Sequence, residues 1–383
     1  MEADATPSDP VPAGADDVPD EAVGGKPPSR RAAILRTGLV IGILVLVFGV
    51  ILPRFVDYQD VIDTFRSLTI LEFGVMLLCT AIAWLVSGAM FAVLVPGTKL
   101  VRGTQAYLIL SGIGASVPMG PWNMAVLWAV MRGWGVAIKA ATSGIALYGI
   151  INTLTRLVTP ALALLFLAAA GLLGEQEAGF AILIAILCTV VLIVAIGLML
   201  AIVRSDRSAH WVADASQRIA ASVARRLGRP KAPDVASGLW AFRNQLGEVV
   251  RQHGLSAMIV GTIGQLVWCG VLIVALRIVG IASGTLTPAE VLAVFAMTSV
   301  ITIIPIAPGG AGIPELLYIA GLTAIAGPSY EALITAGVML FRMFQWFLPI
   351  PIAWVLLKVV RRGRPMLPTP TELRAFAKDG QTA

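Results

Sequence analysis

The run Pro305-Ile306-Ala307-Pro308-Gly309-Gly310-Ala311-Gly312-Ile313-Pro314-Glu315 constrains the fold more than any other stretch of the chain. Three prolines and three glycines interrupt an apolar sequence, and one carboxylate closes the interruption. Irregular backbone at bilayer depth has no water to satisfy its N–H and C=O groups. It is tolerated only where protein buries it or a watery cavity lines it. The alternative is a loop at the membrane surface. A second break of the same kind, Pro118-Met119-Gly120-Pro121, favours the first reading.

The rest of the chain supplies the membrane. Of its 383 residues 57% are hydrophobic and 13% charged, and the mean hydropathy is +0.86. Several runs reach the roughly 18 apolar residues that a spanning helix needs. The fold class is therefore an all-α polytopic membrane protein. A net charge of +6 invites a nucleic-acid reading, but the basic residues cluster beside the apolar runs, as membrane topology requires. No nucleic-acid partner is expected. Cys79, Cys188 and Cys269 lie apart inside apolar runs, which argues against disulfides or a thiolate metal site.

Residues 1–35 are rich in Asp, Pro, Gly and Ala and are expected to be a disordered cytoplasmic tail. Acidic residues precede the basic ones, so this is not read as a cleavable signal. Lys26, Arg30, Arg31 and Arg36 before the first span, about 38–52, place the N-terminus in the cytoplasm. Residues 54–68 alternate charged and apolar groups at helical spacing and suit a short helix on the outer face. A second span, about 70–95, returns to Lys99 and Arg102.

From Gln105 to Val117 the chain covers about 20 Å as helix, and from Trp122 to Arg132 about 17 Å. Neither crosses a hydrocarbon core of about 30 Å, and both outer flanks are basic. A re-entrant hairpin turning at Pro118 and Gly120 is the economical solution. Residues 140–173 form one long apolar helix of about 51 Å with Asn152, Arg156 and a kink expected at Pro160. A span at about 180–203 follows.

The cytoplasmic loop 204–254 carries two amphipathic patterns, expected as two helices on the anionic leaflet. About 50 residues bury too little core for a soluble catalytic domain. A span at 255–279, the broken segment, and a helix from Glu331 to Val360 complete the chain. Lys358, Arg361, Arg362 and Arg364 make the 364–383 tail cytoplasmic, so the second hairpin must enter from outside.

The expected architecture is thus about six full spans plus two re-entrant helical hairpins. Span, hairpin and long helix recur with opposite orientation at 70–173 and 255–360. This is the inverted-repeat plan of many secondary transporters, in which broken helices meet near the midplane.

Each hairpin is followed by a helix with one arginine far from either end, Arg156 and Arg342. An arginine at mid-helix costs on the order of 3 kcal/mol on insertion scales, so each should face the protein interior and have a partner. One reading is a structural ion pair between Arg342 and Glu315. The other is a phosphate site between the hairpin tips, Gly309, Gly310 and Gly312 with Pro118 and Gly120, where helix N-termini add positive charge. The two agree if Glu315 holds Arg342 until an anion competes for it. Gln265, Gln345, Asn123 and Asn152 are candidates either to line the same groove or to join helices by hydrogen bonds. Trp122 and Trp128 fit interface anchors better than a path, and Glu290 fits a favourable charge on a helix N-terminus. His210 and His253 make no metal spacing. No phosphate loop, nucleophile motif or acidic metal pair is present, so neither an enzyme nor a cofactor is expected.

The segment 308–315, with Glu331-Ala332-Leu333 and Phe341-Arg342, resembles the C-terminal signature of the flippase-like family named for the transmembrane region of lysylphosphatidylglycerol synthase. The Pro118-x-Gly120 break, the Arg132-Gly133-Trp134-Gly135 turn and the helix with Arg156 are similar to that family's first motif, although Trp122 and Asn123 stand where acidic and arginine positions are expected. The likeness covers residues 36–363. It implies a multi-pass protein of the bacterial inner membrane, with a flippase-like domain that moves a polar-headed lipid between leaflets. The implied partner is an anionic or aminoacylated phospholipid or a polyprenyl-phosphate-linked lipid, and the sequence also allows a homo-oligomer. In the best-known members an aminoacyl-transferase domain follows; the tail here carries none, so this chain is expected to move such a lipid rather than make it. The rival expectation is a non-transporting scaffold or regulator of an envelope lipid or glycan synthesis enzyme. A transferase with its active site in the membrane would need a carboxylate pair, and only Glu315 and Glu290 stand on one side.

Overall fold

The computed structural model describes residues 68–116, 122–169, 235–303 and 312–362, with isolated positions between 171 and 218. Every regular element among them is helical. Four helices are long and apolar enough to cross a membrane, Ile70–Leu94, Ala140–Ala168, Gln252–Ile278 and Pro328–Val360. The spans expected near 38–52 and 180–203, and the helix expected at 54–68, lie outside the described residues.

Local chemistry sets where the helices start and stop. Helix α1 (Ile70–Leu94) begins at a capping box in which Thr69 and Glu72 satisfy each other's backbone N–H groups, a device worth about 1 kcal/mol. It ends ahead of Pro96, which cannot continue a helix. Helices α2 (Leu100–Ser116) and α3 (Trp122–Gly133) flank the first Pro/Gly break. They pack on each other, as a helical hairpin requires; Asn123 of α3 lies against Gly114 of α2. Helix α4 (Ile138–Ala169) runs without interruption through Pro160.

Helix α5 (Val235–Ile278) corrects one expectation. The second amphipathic segment is no separate surface helix; it continues directly into the span. Between Pro233 and Pro288 there is no proline, and an interior glycine such as Gly254 costs only about 1 kcal/mol, too little to break a helix. At about 66 Å α5 is twice as long as a hydrocarbon core is thick, so its N-terminal part must project beyond it. Arg277 closes its far end by donating to the carbonyls of Ile281 and Leu286 at 2.8 and 2.6 Å.

Helices α6 (Pro288–Ile301) and α7 (Ile313–Ala326) flank the second break and pack on each other. Thr287 and Glu290 cap α6 with the same box as α1, so Glu290 has the capping role rather than a site role. A 3₁₀ turn (Pro328–Tyr330) leads into α8 (Glu331–Arg342), a π-helical turn (Met343–Phe347) and α9 (Pro349–Val360). The expected single helix is therefore interrupted in register directly after Arg342. Pro349 and Pro351 supply no N–H to the preceding turn, and the Leu348 N–H reaches Met343 instead.

Helices α1 and α5 pack side by side at the centre. Each hairpin then docks crosswise: α2 lies on α9, and α6 lies on α4. The α2 contact is a backbone approach, since a Cβ at Gly112 would collide with the Pro349 carbonyl and Ala353. Trp354 of α9 donates to the Ser116 hydroxyl at 3.2 Å. The larger core lies between α5 and the second hairpin, with Leu272, Leu276, Phe295, Tyr318, Leu322 and Phe341 all buried. Large apolar side chains such as Ile70, Leu78, Phe166, Leu255 and Val355 point outward, where lipid accepts what water would penalise.

Candidate functional site

The second break is framed by two helix ends of opposite polarity. At the close of α6 the Thr302 hydroxyl donates to the Thr298 carbonyl at 2.8 Å, leaving its lone pairs free to accept. At the opening of α7, Gly312 has φ +91°, a conformation that any residue with a Cβ adopts only at a cost. Its buried N–H is satisfied by Glu315 Oε2 at 2.7 Å. Glu315 is thus three residues into the helix it caps, which the Gly312-Ile313-Pro314-Glu315 spacing produces directly.

The other oxygen of the same carboxylate meets Arg342. Nε donates to Glu315 Oε1 at 2.7 Å, and Nη1 donates to Gln345 Oε1 at 2.8 Å. Glu315 is 2% exposed and Arg342 7%. The guanidinium also lies 5.8 Å from the centre of the Trp346 ring. Gln345 and Trp346 reach back to Arg342 from within the π turn, a feature that often marks functional sites in helices. Tyr318, Phe341, Trp268 and Phe295 enclose the pair through ring contacts at 5.9 to 6.2 Å.

Arg156 approaches from the other side. It lies on α4 about 24 Å from one end of its span and about 18 Å from the other. Its Nη1 donates to the Thr302 hydroxyl at 3.2 Å, across 146 positions of sequence. Arg156 is half-buried, and among the described residues no carboxylate pairs with it. Tyr318 lies within electrostatic reach of Arg156, Arg342 and Glu315 together. Tyr107 lies within electrostatic reach of Arg156 and close to Ser87, Ser111 and Trp268; Trp268 donates to Ser87 at 3.1 Å.

The two arginines therefore converge on the same hairpin, one at each end of its break. The structure brings together Arg342, Glu315, Gly312, Gln345 and, through Thr302, Arg156. Gly309, Gly310, Pro118 and Gly120 lie outside the described residues. Asn152 is half-buried on α4, and its carbonyl accepts from Thr155. Trp128 is buried and donates to Thr142 at 3.2 Å, joining α3 to α4. Thr302 escaped the sequence reading because nothing in its neighbourhood distinguishes it from other threonines in apolar helices. The π turn had a visible signal, the Pro349-x-Pro351 pair about two turns beyond Arg342. Among the described residues no cluster of His, Cys, Asp and Glu suits a metal ion.

A family model described as Lysylphosphatidylglycerol synthase TM region matches residues 37–353. The chain belongs to this family. The comparison with curated proteins gave no match. The matched range of the Lysylphosphatidylglycerol synthase TM region contains both hairpins, both arginines and Glu315. The protein is thereby membrane-embedded and belongs to a family linked to lipid metabolism or translocation. Chemically, the site offers hydrogen-bond donors on two guanidinium groups and one buried carboxylate acceptor, Glu315. Guanidinium donors are the groups that form charge-assisted hydrogen bonds with oxyanions.

Proposed function

We propose that this protein is a lipid translocase that moves a polar-headed, phosphate-bearing lipid between the leaflets of the bacterial inner membrane. The observation that carries the reading is Arg156, a half-buried cation near mid-span whose described partner is a neutral hydroxyl. A charge at that depth is costly unless something neutralises it. A lipid phosphate held by Arg156, with Arg342 as its second donor, meets that need. The headgroup moves through the groove beside the hairpins while the acyl chains stay in the bilayer. No covalent step and no cofactor are required.

The crosswise docking of α2 on α9 and α6 on α4 supports an inverted repeat of 70–173 and 255–360. In that plan the hairpins enter from opposite sides and rock against each other around a fixed site. Both termini are cytoplasmic in this reading. Glu315 stays paired with Arg342 whether or not lipid is present.

The close engagement of Arg342 by Glu315 and Gln345 also suits a non-transporting scaffold for an envelope enzyme. Proteoliposomes decide between the two. Fluorescently labelled phospholipid should cross leaflets on the order of tenfold more slowly with Arg156→Gln than with wild type. Equal rates at equal reconstituted protein would remove the translocase reading.

A further inference from the structure

The site's charge count points to the class of lipid, given the translocase reading on which this rests. Among the described residues, the four spans and the two hairpins carry their charged side chains near their outer ends, with three exceptions at the second break: Arg156, Arg342 and Glu315. Glu72, Arg102, Arg132, Lys139, Arg277, Glu290, Glu331 and Lys358 all lie within a turn or so of a terminus. The break residues Val117-Pro118-Met119-Gly120-Pro121 and 304–311 carry no charge. Among the described residues, two positive groups against one negative leave a single unbalanced positive charge at the site.

In a low-dielectric interior an unbalanced charge is the dominant cost, and like charges brought together add several kcal/mol to it. We infer that the site selects a headgroup of net charge minus one: a phosphodiester phospholipid without an added amine. Its phosphate takes the place beside Arg156 and leaves the Arg342–Glu315 pair intact, so the loaded site is neutral. A zwitterionic headgroup leaves the positive charge unbalanced. A lysylated headgroup, net positive, doubles it. A phosphomonoester with two negative charges overshoots.

The test uses the full chain in liposomes with three lipids of the same acyl chains and label: phosphatidylglycerol, phosphatidylethanolamine and lysylphosphatidylglycerol. Wild type should move the first on the order of tenfold or more faster than the other two. Arg156→Gln, which makes the site neutral, should abolish that preference. Movement of the zwitterionic or lysylated lipid at the rate of phosphatidylglycerol overturns the charge rule and leaves translocation standing. If no lipid moves, translocation fails, and retention of the same lipids on detergent-solubilised wild type, read by native mass spectrometry, still judges the rule: preferential retention of phosphatidylglycerol supports it, and equal retention overturns it.

Discussion

Arg342 and Arg156 occupy comparable depths in two long helices, yet the molecule treats them differently. Arg342 is buried and fully engaged: a carboxylate at 2.7 Å, a carboxamide at 2.8 Å and an aromatic face close by. Arg156 is half-buried and holds a threonine hydroxyl at 3.2 Å. The second hairpin brings its own acid into the break at Glu315, whereas the first break and its following helix bring none. Burial of a charge thus divides into two solutions, one an internal ion pair and the other, in the proposed reading, a ligand. The pair secures the opening of α7 through Gly312 and Glu315; Arg156 carries the proposed function.

The sharpest way to break this contrast is to remove the internal solution. Glu315→Ala leaves Arg342 buried without its counter-charge and the Gly312 N–H without its acceptor. Thermal or denaturant unfolding in detergent should show a loss of roughly 3–5 kcal/mol. The double variant Glu315→Leu with Arg342→Met should recover most of that loss, because an apolar pair of similar volume often replaces a buried ion pair at little cost. Recovery below a third would mean that Glu315 acts on stability through something other than Arg342.

Gly312→Ala attacks the same break through its backbone. A Cβ at φ +91° should cost about 1–3 kcal/mol, with the ion pair otherwise retained. Thr302→Val removes the neutral partner of Arg156 and should cost only about 1 kcal/mol. Arg156→Gln is expected to shift stability least, by about 1 kcal/mol or less, since it deletes one hydrogen bond to a neutral group and relieves a half-buried charge. If Arg156→Gln instead destabilised as much as Glu315→Ala, the two arginines would have to be treated as equally structural.

Much of this was readable in advance because it depends on local chemistry. Proline and glycine cannot continue a helix in lipid without a reason, so the breaks announced themselves. The depth of Arg342 and the single carboxylate closing the break made the Arg342–Glu315 pair an economical expectation. Spans at 70–94, 140–168 and 252–278 follow from length and apolarity alone. The rest depends on tertiary contacts that no periodicity encodes. The Arg156–Thr302 contact joins residues of opposite halves of the chain, and a threonine in an apolar helix gives no hint of its partner. The amphipathic pattern at 235–251 showed a helix but not its end, because continuity through Gly254 turns on a penalty of about 1 kcal/mol. The crosswise docking of the hairpins rests on Gly112 against Pro349, and a sequence does not reveal which glycine meets which carbonyl.

The most direct measurement is the lipid retained by the protein when it is released gently from its own membrane. Native mass spectrometry of wild type should show one phosphate-bearing lipid per chain, and Arg156→Gln, at unchanged melting temperature, should have lost it. Equal retention by both proteins would contradict the account, because the lipid would then be held by something other than the lone arginine at the broken hairpin.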